Sequence, residues 1–87
     1  MLRLTWTENA LEDLAWWQQH DAKSLKRIIQ LCLEICKNPT QGLGKPEPLK
    51  FDLQGYWSRR INQEHRIIYA FDAHQVTITQ CRFHYQK

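Results

Sequence analysis

One segment, residues 38–48, most constrains the fold because it divides the chain into two halves of different character. The segment holds all three prolines and two of the three glycines of the 87-residue chain. Because proline fixes φ and lacks an amide N–H, neither a helix interior nor a central strand is expected to pass through it. Residues 38–48 are therefore predicted to form a loop with no regular element, with helices before it and strands after it.

Before this loop, the apolar pattern predicts a short strand and a two-helix hairpin. Apolar and polar residues alternate over residues 2–6, as in a strand with one buried face. Thr7 and Asp21 are suitable N-caps for a first helix from Glu8 to about His20 and for a second that Asn38-Pro39 ends. The expected core positions repeat at helical spacing and are Ala10, Leu11, Leu14, Trp17, Leu25, Ile28, Ile29, Cys32, Ile35 and Cys36.

After the loop, the pattern changes to that of strands. Four runs are rich in β-branched and aromatic residues, and turn residues separate them; the runs are Leu49–Leu53, Tyr56–Ile61, His65–Phe71 and Val76–Phe83. Together with the first half they predict an α+β fold, in which the N-terminal strand and helical hairpin precede an antiparallel β-meander. A chain of this length is too short for two stable cores, so residues 1–87 are expected to form a single domain with helices on one sheet face and a ligand on the other.

The charge of the chain is concentrated in its second half. Residues 1–44 contain five Lys or Arg and five Asp or Glu, whereas residues 45–87 contain seven against four, for a net charge of +3. Arginine suits bidentate contact with phosphate, so this half is expected to bind a polyanion, although the same charge would also serve solubility.

The three cysteines predict neither a disulfide framework nor a metal site. Cys32 and Cys36 lie one helical turn apart without a second pair of ligands, so they and Cys81 are expected to be core thiols of a reduced, cytoplasmic protein. No cofactor is predicted. The N-terminus lacks the apolar segment of a signal peptide, and no apolar run approaches the ~20 residues of a membrane span.

The second half also contains residues for each step of RNA cleavage without a metal: a base, cationic donors and an acid. Glu47 lies between two prolines, which hold it in an extended geometry suitable for a general base, and Lys50 would keep its carboxylate ionised. Arg66 is the candidate phosphate donor and His84 the candidate acid. Tyr85 could stack on a base or orient the phosphate.

Three further arginines, Arg59, Arg60 and Arg82, are candidate supporting donors for phosphate. Alternation does not decide which of Arg59 and Arg60 points to the open face of the sheet, because Tyr56 and Trp57 are both plausible core residues. His20, His65 and His74 rank below His84. From the residues alone, a metal-free ribonuclease and a non-catalytic module that binds RNA or protein both remain open.

Four motifs together resemble a known family: Gly-Leu-Gly-Lys-Pro-Glu-Pro-Leu-Lys at 42–50, Tyr-Trp-Ser-Arg-Arg-Ile at 56–61, Glu-His-Arg-Ile-Ile-Tyr at 64–69 and His-Tyr at 84–85. The chain is similar from end to end to the YoeB/Txe toxins of the RelE/ParE superfamily. The resemblance implies a fold of the small microbial ribonuclease type and an mRNA endonuclease that acts in the A site of the ribosome. It also implies a homodimer and a YefM/Axe-like antitoxin, through which alone operator DNA would be bound.

By position, the resemblance assigns catalytic roles to Glu47, Arg66, His84 and Tyr85, and supporting roles to Lys50, Arg60 and Glu64. Phe51 stands where the resemblance leads one to expect His, and Gln86-Lys87 extend beyond the terminal Tyr. Two other functions of the superfamily remain alternatives, a toxin that poisons gyrase by binding it and a co-repressor without activity.

Overall fold

Five strands of the chain form one mixed sheet, and two helices connect the strand at one edge of the sheet to the strand at the opposite edge. The computed structural model describes residues 1–83. Its elements are β1 (Arg3–Trp6), α1 (Glu8–His20), α2 (Ala22–Lys37), β2 (Glu47–Pro48), a 3₁₀ turn (Phe51–Leu53), β3 (Trp57–Arg60), β4 (Arg66–Phe71) and β5 (Gln75–Gln80). This arrangement confirms the predicted α+β fold.

The order of strands in the sheet is β1-β5-β4-β3-β2. The pairs from β2 to β5 are antiparallel, as the meander requires, whereas β1 lies parallel to β5 with Leu4 opposite Val76. A parallel pair needs a long crossover connection, and here the helical hairpin lies within it. The first strand therefore ends up at the far edge of the sheet from β2.

Both helices begin at the predicted capping residues. The Thr7 hydroxyl accepts a hydrogen bond of 3.2 Å from the amide of Ala10, and Asp21 Oδ1 accepts one of 3.1 Å from the amide of Ser24. The Asp21 amide also donates to the carbonyl of Trp17 at the end of α1. Asp21 thus ends one helix and starts the next, which makes the hairpin tight.

The main core lies between the helices and one face of the sheet. Its buried members are Ala10, Trp17, Ile28, Leu31, Cys32, Ile35, Cys36, Ile61, Ile67, Tyr69, Val76, Ile78 and Cys81. The three cysteines are free and buried, as predicted. Two predicted core residues, Leu11 and Ile29, are instead 51% and 40% exposed, because each helix contacts the sheet along a narrower stripe than the apolar pattern suggested.

The segment after the loop differs from the predicted strand at Leu49–Leu53. Glu47 and Pro48, inside the segment predicted to be irregular, pair with Ser58 and Trp57 as a two-residue edge strand. Pro48 is tolerated there because an edge strand leaves some amide positions unpaired. The chain then turns through Phe51, whose φ is +57°, into the 3₁₀ turn. The last strand also ends earlier than predicted, at Gln80.

Candidate active site

The register of the strands decides which side chains share the open face of the sheet. Glu47 lies opposite Ser58, which lies opposite Ile68, and Arg60 lies opposite Arg66. Residues opposite one another in neighbouring strands point to the same side, and the side alternates along each strand. Glu47, Arg60 and Arg66 therefore share the face that the helices leave uncovered.

A small apolar floor supports this face. Leu49, Ser58 and Ile68 are buried, yet the two hydrophobic residues among them are not part of the main core under the helices. A cavity of about 610 Å³ adjoins the floor and is lined by residues 47–53. The floor lies on the same face of the sheet as the charged side chains of Glu47, Arg60 and Arg66.

Glu47 presents a free carboxylate to this cavity. The residue is exposed, and its side chain has no hydrogen-bond or ion-pair partner within residues 1–83. Lys50, three residues further on, is also exposed and lines the same cavity. An unpaired carboxylate on a backbone flanked by prolines has the acceptor capacity that a general base requires.

Arg66 is held at one terminal nitrogen and free at the rest of its guanidinium. Nη1 donates to the carbonyls of Asn62, Gln63 and His65 at 3.0, 3.3 and 3.2 Å. In the described part of the chain, Nε and Nη2 have no partner. The β3–β4 turn thus fixes the orientation of the guanidinium while leaving donors for an anion.

Arg60 adds a second cation directly beside Arg66. It is exposed, lies opposite Arg66 in the β3–β4 pair, and forms no ion pair with any of residues 1–83. Two guanidiniums on neighbouring strands, neither in an ion pair with any of residues 1–83, create a positive field that favours phosphate. Glu64 in the turn below has its side chain 80% exposed and places Oε1 3.6 Å from His65 Nε2.

The position of Arg59 does not fit its predicted role as a supporting donor for phosphate. Its side chain is fully buried, and all three of its nitrogens donate to groups within the protein. The alternation of β3 places it on the helix side of the sheet, in the same row as Ile67 opposite it. Arg59 therefore does not donate to phosphate on the open face, and of the two adjacent arginines it is Arg60 that faces the site.

Arg82 also differs from its predicted setting on a strand. It follows β5, and its guanidinium carbon lies 3.7 Å from the ring centre of Trp16 and 4.4 Å from that of Phe83. Stacking between a guanidinium and aromatic rings is a stabilising contact in its own right. The position of Arg82 against a side chain of α1 is therefore explained by packing.

His65 is a residue whose importance the sequence did not reveal. Its Nδ1 accepts a hydrogen bond of 2.6 Å from the amide of Phe83, and its ring packs edge-on against Trp17 at 4.9 Å between ring centres. The Arg66 amide donates to the Phe83 carbonyl at 2.9 Å. The backbone of Phe83 is thus held beside the start of β4, but no periodicity in the sequence signals a contact between a turn residue and the end of the chain.

The candidate acid His84 and the candidate stacking residue Tyr85 lie outside the described residues, so their roles stay predictions. Within residues 1–83, no group of three or more His, Cys, Asp or Glu side chains is placed to hold a metal ion. No helix in that part of the chain has the length and apolar character needed to cross a membrane.

Comparisons with known proteins agree with this fold. A model of the family described as YoeB-like toxin of bacterial type II toxin-antitoxin system matches residues 6–85. The chain is 50% identical over 86 residues to Toxin YoeB of Synechocystis, a match that covers 99% of this chain and 100% of that protein.

Solved structures are similar as well. The YoeB/ParE toxin from Agrobacterium tumefaciens superimposes with a TM-score of 0.91 at 44% identity, over 97% of this chain and 100% of that one. A YoeB dimer from Staphylococcus aureus gives a TM-score of 0.88 at 45% identity, over 97% of this chain and 98% of that one. A YoeB-YefM complex from the same organism gives 0.86 at 43% identity, over 98% and 99%.

Proposed function

The chain belongs to the family of YoeB-like toxins of bacterial type II toxin–antitoxin systems, and we propose that it acts as an endoribonuclease that cleaves mRNA in the A site of the ribosome. The observation that carries this proposal is the shared open face of Glu47, Arg60 and Arg66. An unpaired carboxylate and two guanidiniums that keep donors for an anion, all on one face of the sheet, match the needs of phosphodiester cleavage.

The reaction uses these groups in sequence. Glu47 accepts the proton of a ribose 2′-hydroxyl, and the 2′-oxygen attacks the adjacent phosphorus. Arg66, supported by Arg60 and Lys50, stabilises the negative charge on the pentacoordinate phosphorus. The bond from phosphorus to the 5′-oxygen then breaks, and His84 donates a proton to that oxygen. The products are a 2′,3′-cyclic phosphate and a 5′-hydroxyl, so atoms and protons balance.

The partners follow from the family and from the charge of the surface. We propose that the protein is a homodimer and is neutralised by a YefM-like antitoxin, since a YoeB dimer and a YoeB-YefM complex are known for a relative that is 43–45% identical. Operator DNA would be bound only through the antitoxin. The ribosome would present the mRNA, and the cytoplasm would be the site of action.

Mapping of mRNA 5′ ends on programmed ribosomes tests the proposal. The wild type should cut within the A-site codon, and Glu47→Gln should slow cleavage by about 10²–10⁴-fold, as expected for the loss of a general base. Glu12→Gln is a matched control, since it removes an exposed carboxylate from α1. Its cleavage rate should equal that of the wild type.

Two results would contradict the proposal. One is growth arrest without mRNA cleavage that persists in Glu47→Gln, which would point to gyrase or another protein target. The other is equal cleavage by the wild type and Glu47→Gln, which would remove Glu47 from the mechanism. Absence of toxicity together with antitoxin-dependent operator binding would instead support a co-repressor.

A further inference from the structure

We infer that Arg59 is a positioning residue for Glu47: its buried guanidinium fixes the loop of residues 38–44 and thereby the strand that carries the base. This inference rests on the proposed role of Glu47 and extends it to a side chain that does not reach the open face. The argument depends on what Arg59 contacts, on how the loop joins β2, and on how little else holds β2.

The guanidinium of Arg59 binds carbonyls from three points along the loop. Nη2 donates to Asn38 and Gln41 at 2.5 and 2.9 Å, and Nη1 donates to Leu43 at 3.2 Å. Because these carbonyls span the loop from its first residue to the last but one, a single rigid fork defines the path of the loop.

Two side chains complete the set of contacts around Arg59. Glu34 Oε1 lies 3.4 Å from Nη1 and accepts a hydrogen bond of 2.5 Å from the amide of Leu43. The Tyr69 hydroxyl accepts from Nε at 3.2 Å and donates to the carbonyl of Pro39 at 2.6 Å. We call Arg59, Glu34 and Tyr69 the loop anchor.

The protonation of Tyr69 suits this arrangement. Burial raises the pKa of the Tyr69 phenol above its ordinary value, and the hydrogen bond from Arg59 offsets only part of that effect. The phenol therefore stays neutral at physiological pH and keeps the proton that it donates to Pro39. The Tyr69 hydroxyl can accept from Arg59 and donate to the loop at the same time.

The loop passes directly from the anchor into β2. The carbonyl of Gly44 accepts a hydrogen bond of 2.7 Å from the amide of Arg60, and Glu47 then pairs with Ser58, the residue before Arg59. Gly44 has a φ of +83°, and a Cβ there would lie 3.1 Å from both the Arg60 carbonyl oxygen and Leu31 Cδ2. The loop therefore approaches β3 as closely as glycine allows.

The remaining supports of Glu47 are few. β2 has two residues, so its ladder with β3 is short. The side chain of Glu47 has no partner within residues 1–83. On the other side, the buried Leu49 donates its amide to the carbonyl of Tyr56 at 2.9 Å, and the chain then leaves through Phe51 in a left-handed conformation. The position of the carboxylate thus depends on the backbone, and the backbone before it depends on the anchor.

The burial of a full charge supports a specific role for Arg59. A buried cation is unfavourable unless its donors are paired, and an apolar residue at such a position often gives equal or higher stability. Ile67, directly opposite in β4, shows that an aliphatic residue fits this row of the sheet. Arg59 therefore contributes something that an aliphatic residue cannot, namely N–H donors for the backbone carbonyls of the loop.

The test combines amide exchange with steady-state cleavage kinetics on programmed ribosomes. Arg59→Met should speed exchange at the amides of Leu43 and Leu49 at least tenfold while leaving β4 and β5 protected. It should lower kcat by about 10²-fold with little change in KM, because misplacing a catalytic group by about 1 Å has an effect of that size. Arg59→Lys keeps the charge without the fork and should recover only part of the rate. Arg3→Met, which removes an exposed guanidinium from β1, is the matched control and should match the wild type in both measurements.

A second variant keeps the inference testable if Arg59→Met does not fold. Gly44→Ala leaves the anchor side chains intact but strains the joint between the loop and β3, and it should reproduce the loss in kcat with KM unchanged. Wild-type protection and wild-type kcat in Arg59→Met would overturn the role of Arg59, and wild-type kcat in Gly44→Ala would overturn the step by which the loop positions Glu47. Glu47→Gln in the same assay would still report on the proposed function. Failure of the wild type itself to cleave mRNA would refute the proposed function and this inference with it, and the exchange data would then describe loop stability alone.

Discussion

Arg59 and Arg60 are adjacent in β3 and meet opposite environments. Arg59 is fully buried with its three nitrogens bonded to protein groups, whereas Arg60 is exposed beside Arg66 without an ion-pair partner among residues 1–83. A buried cation must find all its partners within the protein, while an exposed one can exchange water for a ligand. One step along the strand thus separates a residue that shapes the loop from one that faces the substrate.

Tyr69→Phe should destabilise the protein although it removes a single oxygen. The change leaves the buried Arg59 Nε and the partly buried Pro39 carbonyl without their partner, and an unpaired buried polar group costs about 1–3 kcal/mol. Urea denaturation followed by tryptophan fluorescence would measure the difference. Tyr56→Phe is the control, because the Tyr56 hydroxyl makes no hydrogen bond within residues 1–83. Equal midpoints for the two variants would show that the Tyr69 hydroxyl does not support the loop.

Among the elements, the helices could be predicted from the sequence and β2 could not. Thr7 and Asp21 act through hydrogen bonds to residues three positions away, so their capping role can be predicted from the local sequence. β2 exists because Glu47 meets Ser58 across a turn, and its two residues carry no pattern of their own. The propensity of Leu49–Leu53 for a strand was overruled by the reversal of the chain at Phe51.

The same distinction applies to the site. Glu47 and Arg66 could be chosen from residue type and setting, and the structure places them on one face. The burial of Arg59 and the contact between His65 and Phe83 could not be predicted. Arg59 binds Tyr69 and the carbonyl of Leu43, which are 10 and 16 residues away, and His65 binds Phe83, which is 18 residues away. Sequence patterns report on neighbours within a turn or a strand, and these contacts lie beyond that range.

Asp21 gives a pH-dependent prediction at the junction of the two helices. Hydrogen bonds from the Ser24 hydroxyl and then from the Ser24 amide lower the pKa of the Asp21 carboxyl below its ordinary value of 3.8. Because the folded pKa is the lower one, the stabilisation is present above pH 3.8 and is lost as the pH falls through the folded pKa. Asp21→Asn should therefore lower Tm at neutral pH, and its difference from the wild type should shrink in acid.

Ser24→Ala provides the matched comparison for this measurement. It removes the hydroxyl donor and keeps the amide, so its pH-dependent loss of Tm should be smaller than that of Asp21→Asn. Thermal unfolding by circular dichroism between neutral pH and the acid range would measure all three proteins. A difference between Asp21→Asn and the wild type that stays constant with pH would show that the charge of Asp21 does not stabilise the hairpin.

In the whole molecule, the two faces of the sheet have separate tasks. Both helices pack on one face and form the main core there, so the other face is free to carry Glu47, Arg60 and Arg66. Of the seven basic residues in 45–87, Arg60 on β3 and Arg66 on β4 lie on this open face, whereas Arg59 lies on the helix side. A small domain can in this way keep a stable core and an unpaired cationic surface within one sheet.

The cysteines offer a measurement of how completely that core is closed. All three are free and at most 2% exposed, two of them on α2 and one just after β5. Burial raises the pKa of the Cys81 thiol to about 12 and also raises the pKa values of Cys32 and Cys36 above the ordinary value. Since the thiolate is the reactive form, the native protein combines a low thiolate fraction with a lack of access.

We therefore expect a thiol reagent such as Ellman's reagent to label the native protein at mildly alkaline pH only as fast as the protein unfolds. In guanidinium, the reagent should label all three thiols at once. The urea dependence of labelling should follow the loss of near-ultraviolet circular dichroism, because a helix thiol and a sheet thiol in one core become accessible in the same global transition. Rapid labelling of one thiol with the circular dichroism unchanged would instead reveal local opening. Such a result at Cys81 would place that opening where β5 leads toward the candidate site, and would contradict a core that closes as one unit.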